Sequence, residues 1–271
     1  GIKERIGVVD KFFQISTLGG NGRWGNQIFQ ICFGLAMATK YDRTLCIPDN
    51  WCGWDIFDLP NRIYPMKGWP PAMFQTYVDH IPEEKTVEEL DLIDLHGYWQ
   101  NQRSIDLYSK ADVQSWLKFK PWVTEMFARK SSAKRIVVHK RRGDYVRQPN
   151  HYCSITDESF DKAVEQVKAK YGEASVIEIT EEAPTRNAYC EAFGLGFLAD
   201  FMLMVNANYL VRSNSTFSLV AGWFSDVKVF APVVTDKGGW NDVDFVEGNW
   251  PRCADSSRHP VELTDLYLRD I

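Results

Sequence analysis

The readable pattern begins with a short apolar run, Phe12-Phe13-Gln14-Ile15-Ser16, which predicts a β-strand. A glycine-rich stretch from Gly19 to Gly25 follows it directly. From Asn26 the apolar positions Ile28, Phe29, Ile31, Cys32, Leu35, Ala36 and Ala38 recur at helical spacing as far as Lys40. Thr44-Leu45-Cys46-Ile47, ahead of Pro48, predicts a second strand. Residues 48–73 follow neither period. With Trp51, Trp54 and Trp69 among Pro60, Pro65, Pro70 and Pro71, they predict an irregular, aromatic-lined insertion. Leu92 to Trp99 reads as a buried strand ending in aromatics, and a polar helical stretch runs from Ile105 to Lys130. The basic, small-residue segment from Arg129 to Lys134 is the expected linker.

The second half repeats the rhythm. Arg135-Ile136-Val137-Val138-His139 predicts a strand, Asp157 to Lys170 a helix with Asp157 near its N-cap, and Ser175 to Ile179 another strand. Ala199 to Val205, Tyr209-Leu210-Val211, Thr216 to Phe224 and Val227 to Phe230 continue the alternation. Strands separated by helices predict parallel sheets covered by helices. The expected class is therefore α/β, with an N-terminal unit over 1–131, a C-terminal unit over 132–271 and a cleft between two such units. Ligands of open α/β sheets sit at the carboxyl ends of the strands.

The 271 residues suit two modest domains or one large one, and 45% apolar with 14% aromatic residues supplies a packed core. A formal net charge of −5 offers no general attraction to nucleic acid or anionic lipid, so any phosphate must be held by local groups. Cys32, Cys46, Cys52, Cys153, Cys190 and Cys253 contain no CxxC pair, which predicts reduced, mostly buried thiols and a cytoplasmic setting. The sequence from Gly1 to Arg5 lacks an apolar signal core, and no apolar run is long enough to span a membrane.

Three segments carry candidate chemistry. His139-Lys140-Arg141-Arg142-Gly143-Asp144-Tyr145 follows an apolar strand and places two guanidiniums beside a glycine turn. A planar, permanently charged fork matches phosphate oxygens, so phosphate or pyrophosphate is the expected partner. The alternative is that an arginine braces the turn against Asp144 or another carboxylate. Gly19 to Gln27 lets a backbone approach a ligand ahead of a helix, or simply makes a tight turn. Gly20, Gly22 and Gly25 fit the letters GxGxxG, yet no acidic residue ends the next strand and no P-loop is present. Ser213-Asn214-Ser215-Thr216-Phe217-Ser218 either caps a helix or hydrogen-bonds a diphosphate. The Arg142-Gly143-Asp144 tripeptide and the Asn214-Ser215-Thr216 sequon are read as incidental.

Together these segments resemble the inverting fucosyltransferase family that includes the α-1,2-fucosyltransferases. Gly22-Arg23-Trp24-Gly25-Asn26-Gln27-Ile28-Phe29-Gln30 is similar to the family's G-x-x-G-N-Q-x-F-Q segment, and Gly97-Tyr98-Trp99-Gln100 to its G-Y-[FW]-Q. His139-x-Arg141-Arg142-Gly143-Asp144-Tyr145 resembles its H-x-R-R-G-D-Y. Asp200-Phe201-x-Leu203-Met204 with Asn214-Ser215-Thr216-Phe217-Ser218 resembles its D-F-x-L-M and N-S-[ST]-F-S pair.

The resemblance implies glycosyltransferase B architecture: two Rossmann-like domains, the second binding a GDP-sugar and the first, through Gly22, Arg23, Gly25, Asn26 and Gln27, helping to seat a glycan acceptor. It also implies transfer from GDP-β-L-fucose with inversion, with no metal or other cofactor. Arg141 then stabilises the leaving β-phosphate. His139, Arg142, Asp200, Asn214, Ser215, Thr216 and Ser218 bind the donor, and Asp144 acts either as general base or as a brace for the arginine turn. Trp51, Trp54 and Trp69 stack on acceptor sugars or pack in the core. Three departures bear on the sugar rather than on the phosphate: Leu219-Val220 replaces the usual pair of tryptophans, Lys140 an aliphatic residue, and Asn21 extends the first loop. The rival readings are a transferase of another GDP-deoxyhexose and a non-catalytic nucleotide-sugar or glycan-binding protein.

Overall fold

A computed structural model describes residues 11–68, 74–180, 188–234 and 238–248. Trp69, Pro70, Pro71 and Cys253 lie outside these residues. The chain forms two compact units, the first ending at Lys120 and the second starting at Pro121.

In the first unit β1 (Phe12–Gln14), β2 (Thr44–Pro48), β3 (Ile63–Met66), β4 (Phe74–Gln75) and β5 (Leu92–Asp94) form one sheet in the order β3-β2-β1-β5-β4. All four pairings are parallel. Helix α1 (Trp24–Lys40) joins β1 to β2 and is buried along nearly its whole length, which is why its sequence is apolar beyond a single stripe. The edge strand β3 reads Ile-Tyr-Pro-Met. Its Pro65 cannot donate to a ladder and obscured the strand in the sequence, but an edge position tolerates it.

Two expectations differ from the structure here. The strand predicted over Leu92 to Trp99 ends at Asp94, because Asp94 accepts hydrogen bonds from Ser16 N and Oγ and from Gln75 Nε2, and Gly97 (φ 151°) and Trp99 (φ 59°) turn the chain. The long polar helix is three short ones, at Gln102–Ile105, Lys110–Trp116 and Pro121–Met126. Ser109 and Asp112 close a capping box that restarts the helix, and Pro121 occupies a first helical position, where its missing N–H costs nothing.

In the second unit β6 (Arg135–Lys140) is followed by the short helix α2 (Gly143–Arg147), β7 (Cys153–Ile155), α3 (Asp157–Tyr171), β8 (Ser175–Thr180), α4 (Leu198–Val205), β9 (Tyr209–Val211), α5 (Thr216–Ala221), β10 (Lys228–Val233), β11 (Gly239–Asn241) and β12 (Asp244–Glu247). The main sheet runs β8-β6-β9-β10-β12, parallel except for β12, while β11 pairs with β7. Side chains alternate along β6. Ile136 and Val138 join Phe160, Val167 and Val211 in the core under α3, so Lys140 and Arg142 emerge on that face and His139 and Arg141 on the other.

The α/β class with parallel sheets is thus as the pattern predicted. In each sheet the strand order reverses beside the first strand: between β1 and β5 in the first, and between β6 and β9 in the second. The loops leaving these strand pairs are where an open α/β sheet presents a ligand site.

Candidate active site

The glycine-rich loop, the Gly97–Gln100 turn, the arginine turn and the serine cluster sit on those two pairs of loops, and Asp200 to Met204 lies within α4. In the first unit the glycine-rich loop leaves β1 and the Gly97–Gln100 loop leaves β5, and Gln100 Nε2 donates to Asn26 Oδ1 at 2.9 Å. The amides of α1 then reach back over the loop that precedes the helix. Gln27 Nε2 donates to Gly22 O at 3.0 Å and Gln30 Nε2 to Asn21 O at 2.8 Å, while Gln27 Oε1 accepts from Trp51 Nε1 at 2.9 Å. Gly22 holds φ 79°, and a Cβ there would lie 2.6 Å from Asn26 Nδ2, so both the conformation and the space require glycine. Gln27 therefore clamps its own loop. Gly25 is buried in the first turn of α1, and Arg23 stands exposed immediately before it.

Trp51 is 2% exposed and stacks on Trp24, with centroids 6.2 Å apart, so it is core rather than a face for a sugar. Trp54 ties its Nε1 to Pro48 O at 2.8 Å.

In the second unit the loops leaving β6 and β9 are bonded to one another. Tyr145 donates from its hydroxyl to Asn214 O at 3.2 Å and stacks on Tyr152 at 4.3 Å, and Asn214 Nδ2 donates to Cys153 O at 3.0 Å. Arg141 pairs with Asp144 Oδ1 at 2.6 Å and lies over the Tyr145 ring at 5.3 Å. Asp144 and Tyr145 thus fix the direction of that guanidinium.

Arg142 emerges on the opposite face. It donates to Ile155 O at 2.6 Å and to Asp157 Oδ1 at 2.8 Å, and its guanidinium lies 4.7 Å from the Trp240 ring centre. Lys140 bridges Asp157 and Glu178, each at 2.9 Å. The two arginines that are adjacent in sequence are therefore separated in role by strand alternation, and each has a carboxylate partner.

His139 is buried, with Nδ1 3.0 Å from Ser213 Oγ, which in turn lies 3.3 Å from Ser218 Oγ. Burial, aided by the nearby Arg212 charge, pushes the imidazole down to about 4, so it is neutral at physiological pH. Ser215 Oγ accepts from Phe217 N at 3.3 Å as the N-cap of α5; Thr216 opens that helix. Asp200 is buried in the first turn of α4.

One residue had not been singled out from the sequence. Arg212, fully buried at the end of β9, donates to Ser213 O at 2.8 Å. Its signal was a third arginine at a strand's carboxyl end, immediately before the serine cluster.

Among the described residues no three His, Cys, Asp or Glu side chains gather in a metal-ligating group, and no helix is long and apolar enough to cross a membrane. Cys32, Cys46, Cys52, Cys153 and Cys190 are free thiols.

No protein-family profile matches the sequence, and no curated protein matches it. Solved structures do. The NodZ α-1,6-fucosyltransferase, in a crystal soaked with GDP-fucose, superposes with a TM-score of 0.55 at 14% identity over 88% of this chain and 99% of that one. Selenomethionine NodZ from Bradyrhizobium gives 0.55 at 13% identity, over 88% of this chain and 99% of that one. An arginine-to-lysine variant of Arabidopsis thaliana FUT1 in complex with GDP gives 0.50 at 14% identity, over 84% of this chain and 71% of that one. The fold is glycosyltransferase B-like. At such identities the likeness speaks for the fold alone. Within a glycosyltransferase B-like fold, the arginine-bearing loops leaving β6 and β9 belong to the second α/β unit, and the amide-bearing loops to the first.

Proposed function

We propose that the chain transfers L-fucose from GDP-β-L-fucose to a hydroxyl of a glycan, with inversion and without a metal ion. The observation that carries this reading is the meeting of Arg141, His139, Ser213 and Asn214 at the strand-order reversal of the second sheet, in a fold of this type. The acceptor oxygen attacks the anomeric carbon as the bond to the β-phosphate oxygen breaks. The electron pair leaves on GDP, and the acceptor proton passes to a base. Charge grows on the β-phosphate, and a preoriented guanidinium in a dry site stabilises it without reorganisation. Arg141 has that role, and Asp144 and Tyr145 position it.

Arg142, held by Ile155 and Asp157, shapes the turn from below and adds to the positive potential, as does Arg212. The neutral His139 and the hydroxyls of Ser213 and Ser218 line the same loops without adding charge that would bind GDP too tightly for release. Asp200, Ser215 and Thr216 complete the donor wall. Gly22, Arg23, Gly25, Asn26 and Gln27, with Gln100, form the acceptor-side loops of the first unit. The motifs favour an α-1,2 linkage to galactose or a similar sugar.

The test is release of GDP from GDP-fucose in EDTA, with GDP-mannose and GDP-rhamnose as competitors and product linkage assigned by NMR. Turnover that appears only on adding Mn²⁺ overturns the metal-free mechanism. Stabilisation by GDP with no turnover on any acceptor makes the protein a binder instead of an enzyme.

A further inference from the structure

Among the described residues of the tryptophan insertion, Trp51 is buried and Trp54 is tied to Pro48. Among the described residues the most exposed large hydrophobic side chain is Tyr77, at 78%, and the neighbouring Val78 is 51% exposed. Both lie in the loop that leaves β4, at the same end of the parallel sheet as the loops after β1 and β5.

This loop is held by hydrogen bonds at both ends. His80 N donates to Tyr77 O at 3.0 Å, which closes a four-residue turn, and the His80 ring meets the Tyr77 ring edge-on at 6.4 Å. Asp79 occupies the third turn position with φ 58°, a conformation normally left to glycine or asparagine. Its Oδ1 accepts from Trp99 N at 2.6 Å, and its own N–H donates to His96 O at 3.0 Å. Thr76 Oγ1 accepts from His96 N at 2.8 Å. Two non-glycine residues in the left-handed region, Asp79 and Trp99, are thus bonded to each other so that Tyr77 is presented to solvent on a fixed backbone. Backbone strain kept by several supporting bonds is a feature of ligand sites.

We propose that the Tyr77–His80 turn is a stacking platform for one sugar ring of the acceptor glycan; this rests on the transferase reading above. The phenol face meets the C–H face of a hexose, Val78 extends the apolar surface, and the His80 ring offers a nitrogen to a hydroxyl. A protein partner fits poorly. One aromatic ring and one valine cover about 300 Å² at most, far below the roughly 1,200 Å² of a stable interface. The platform is bonded to the Gly97–Gln100 loop through Asp79 and Trp99, and Gln100 in turn holds Asn26.

The experiment titrates lactose and N,N′-diacetylchitobiose separately into the full chain by saturation-transfer NMR, with GDP affinity measured in parallel by calorimetry. Tyr77→Ala is expected to weaken the sugar that binds by about three- to tenfold, and Tyr77→Phe to keep it within about twofold. GDP affinity should stay unchanged in both variants. Unaltered sugar affinity in Tyr77→Ala, or a wild-type chain that binds GDP and neither sugar, overturns the platform. So does a change in solution mass on removing Tyr77, which would make the patch an interface between copies. A chain that binds a sugar through Tyr77 and does not bind GDP upholds the platform and sinks the donor reading instead.

Discussion

At the strand-order reversal of the first sheet three side-chain amides tie the loops, Gln27 to Gly22, Gln30 to Asn21 and Gln100 to Asn26, beside the Asp94 carboxylate that accepts from Ser16. At the corresponding place in the second sheet neutral bonds again join the loops, Tyr145 to Asn214 and His139 to Ser213, but the cations at the end of β6 add ion pairs: Arg141 to Asp144, Arg142 to Asp157, and Lys140 to Asp157 and Glu178. The two units share a parallel α/β plan with a strand-order reversal and differ in the side chains gathered there. Side-chain amides offer neutral donors and acceptors suited to hydroxyls, whereas a cluster of cations favours an anion. On the proposed reading, the division of labour between acceptor and donor rests on the type of side chain at the strand ends rather than on the fold.

The strongest way to break this comparison is Arg141→Lys. An ammonium keeps the charge and loses the fork, so the chain should fold with nearly its original melting temperature while turnover falls by about a hundredfold or more. GDP-release kinetics and a thermal melt on the same sample check it. Near-normal turnover would remove Arg141 from the mechanism. Gln27→Ala is the matching change in the first unit, and it should lower stability without changing GDP affinity.

Next in size is the acid response of the second unit. His139 lies below its ordinary value of 6.5, at about 4, so the folded state binds fewer protons than the unfolded one between these values. Stability from the neutral ring is complete above pH 6.5 and is lost as pH falls towards 4, by an amount on the order of 3 kcal/mol. Denaturant melts at several pH values should show this loss in the wild type, and His139→Gln should flatten it. Hydrogen exchange should place the acid-sensitive opening in β6 and β9 rather than in β1. Equal loss in both units would contradict the contrast between them.

The sequence revealed the alternation of strand and helix because apolar periods of two and 3.6 survive wherever an element is buried on one side or both. It also placed the glycine-rich loop, the arginine turn and the serine cluster at strand ends. What it hid has physical reasons. The edge strand β3 contains Pro65, and β5 stops where the Asp94 side chain, not the pattern, terminates it. The opposite directions of Arg141 and Arg142 follow from strand alternation carried two residues past β6, and only the three-dimensional structure brings Asp157 to one of them. Trp51 was ambiguous because an indole suits a core and a sugar equally well; its bond to Gln27 decides for the core. Tyr77 is not legible in the sequence, because a lone tyrosine beside Val78 carries no period and nothing in the sequence marks Asp79 as holding a left-handed turn.

A smaller effect sharpens the first unit's side of the comparison. Gly22→Ala forces a strained φ and drives a Cβ to within 2.6 Å of Asn26 Nδ2, so the loop must shift. A loss of about 1–3 kcal/mol is expected from strain of this kind. Chemical denaturation measures it, and the displaced Asn26 should show as weaker acceptor binding with donor affinity intact. A change confined to donor affinity would assign the glycine loop to the wrong ligand.

The smallest expected effect tests whether the second unit's charge ties respond to salt. Asp157 receives both Lys140 and Arg142, yet its own side chain is 62% exposed, so screening limits the pair to under about 1 kcal/mol. The hydrogen bond from Lys140, followed by the Lys140 and Arg142 charges, holds the carboxyl below its ordinary value against a partial desolvation penalty. Its stabilisation is therefore present above the ordinary aspartate value and disappears as pH falls through the lowered one. Asp157→Asn removes that contribution and should lower the melting temperature by less than about 3 °C at low ionic strength, with the difference shrinking as salt screens the wild-type pair. GDP affinity should fall only slightly, because Arg142 keeps Ile155 O. A large loss of GDP affinity would mean that Asp157 holds Arg142 on the donor itself, and a melting difference that ignores salt would mean that the second unit, like the first, is tied by hydrogen bonds whose charge is incidental.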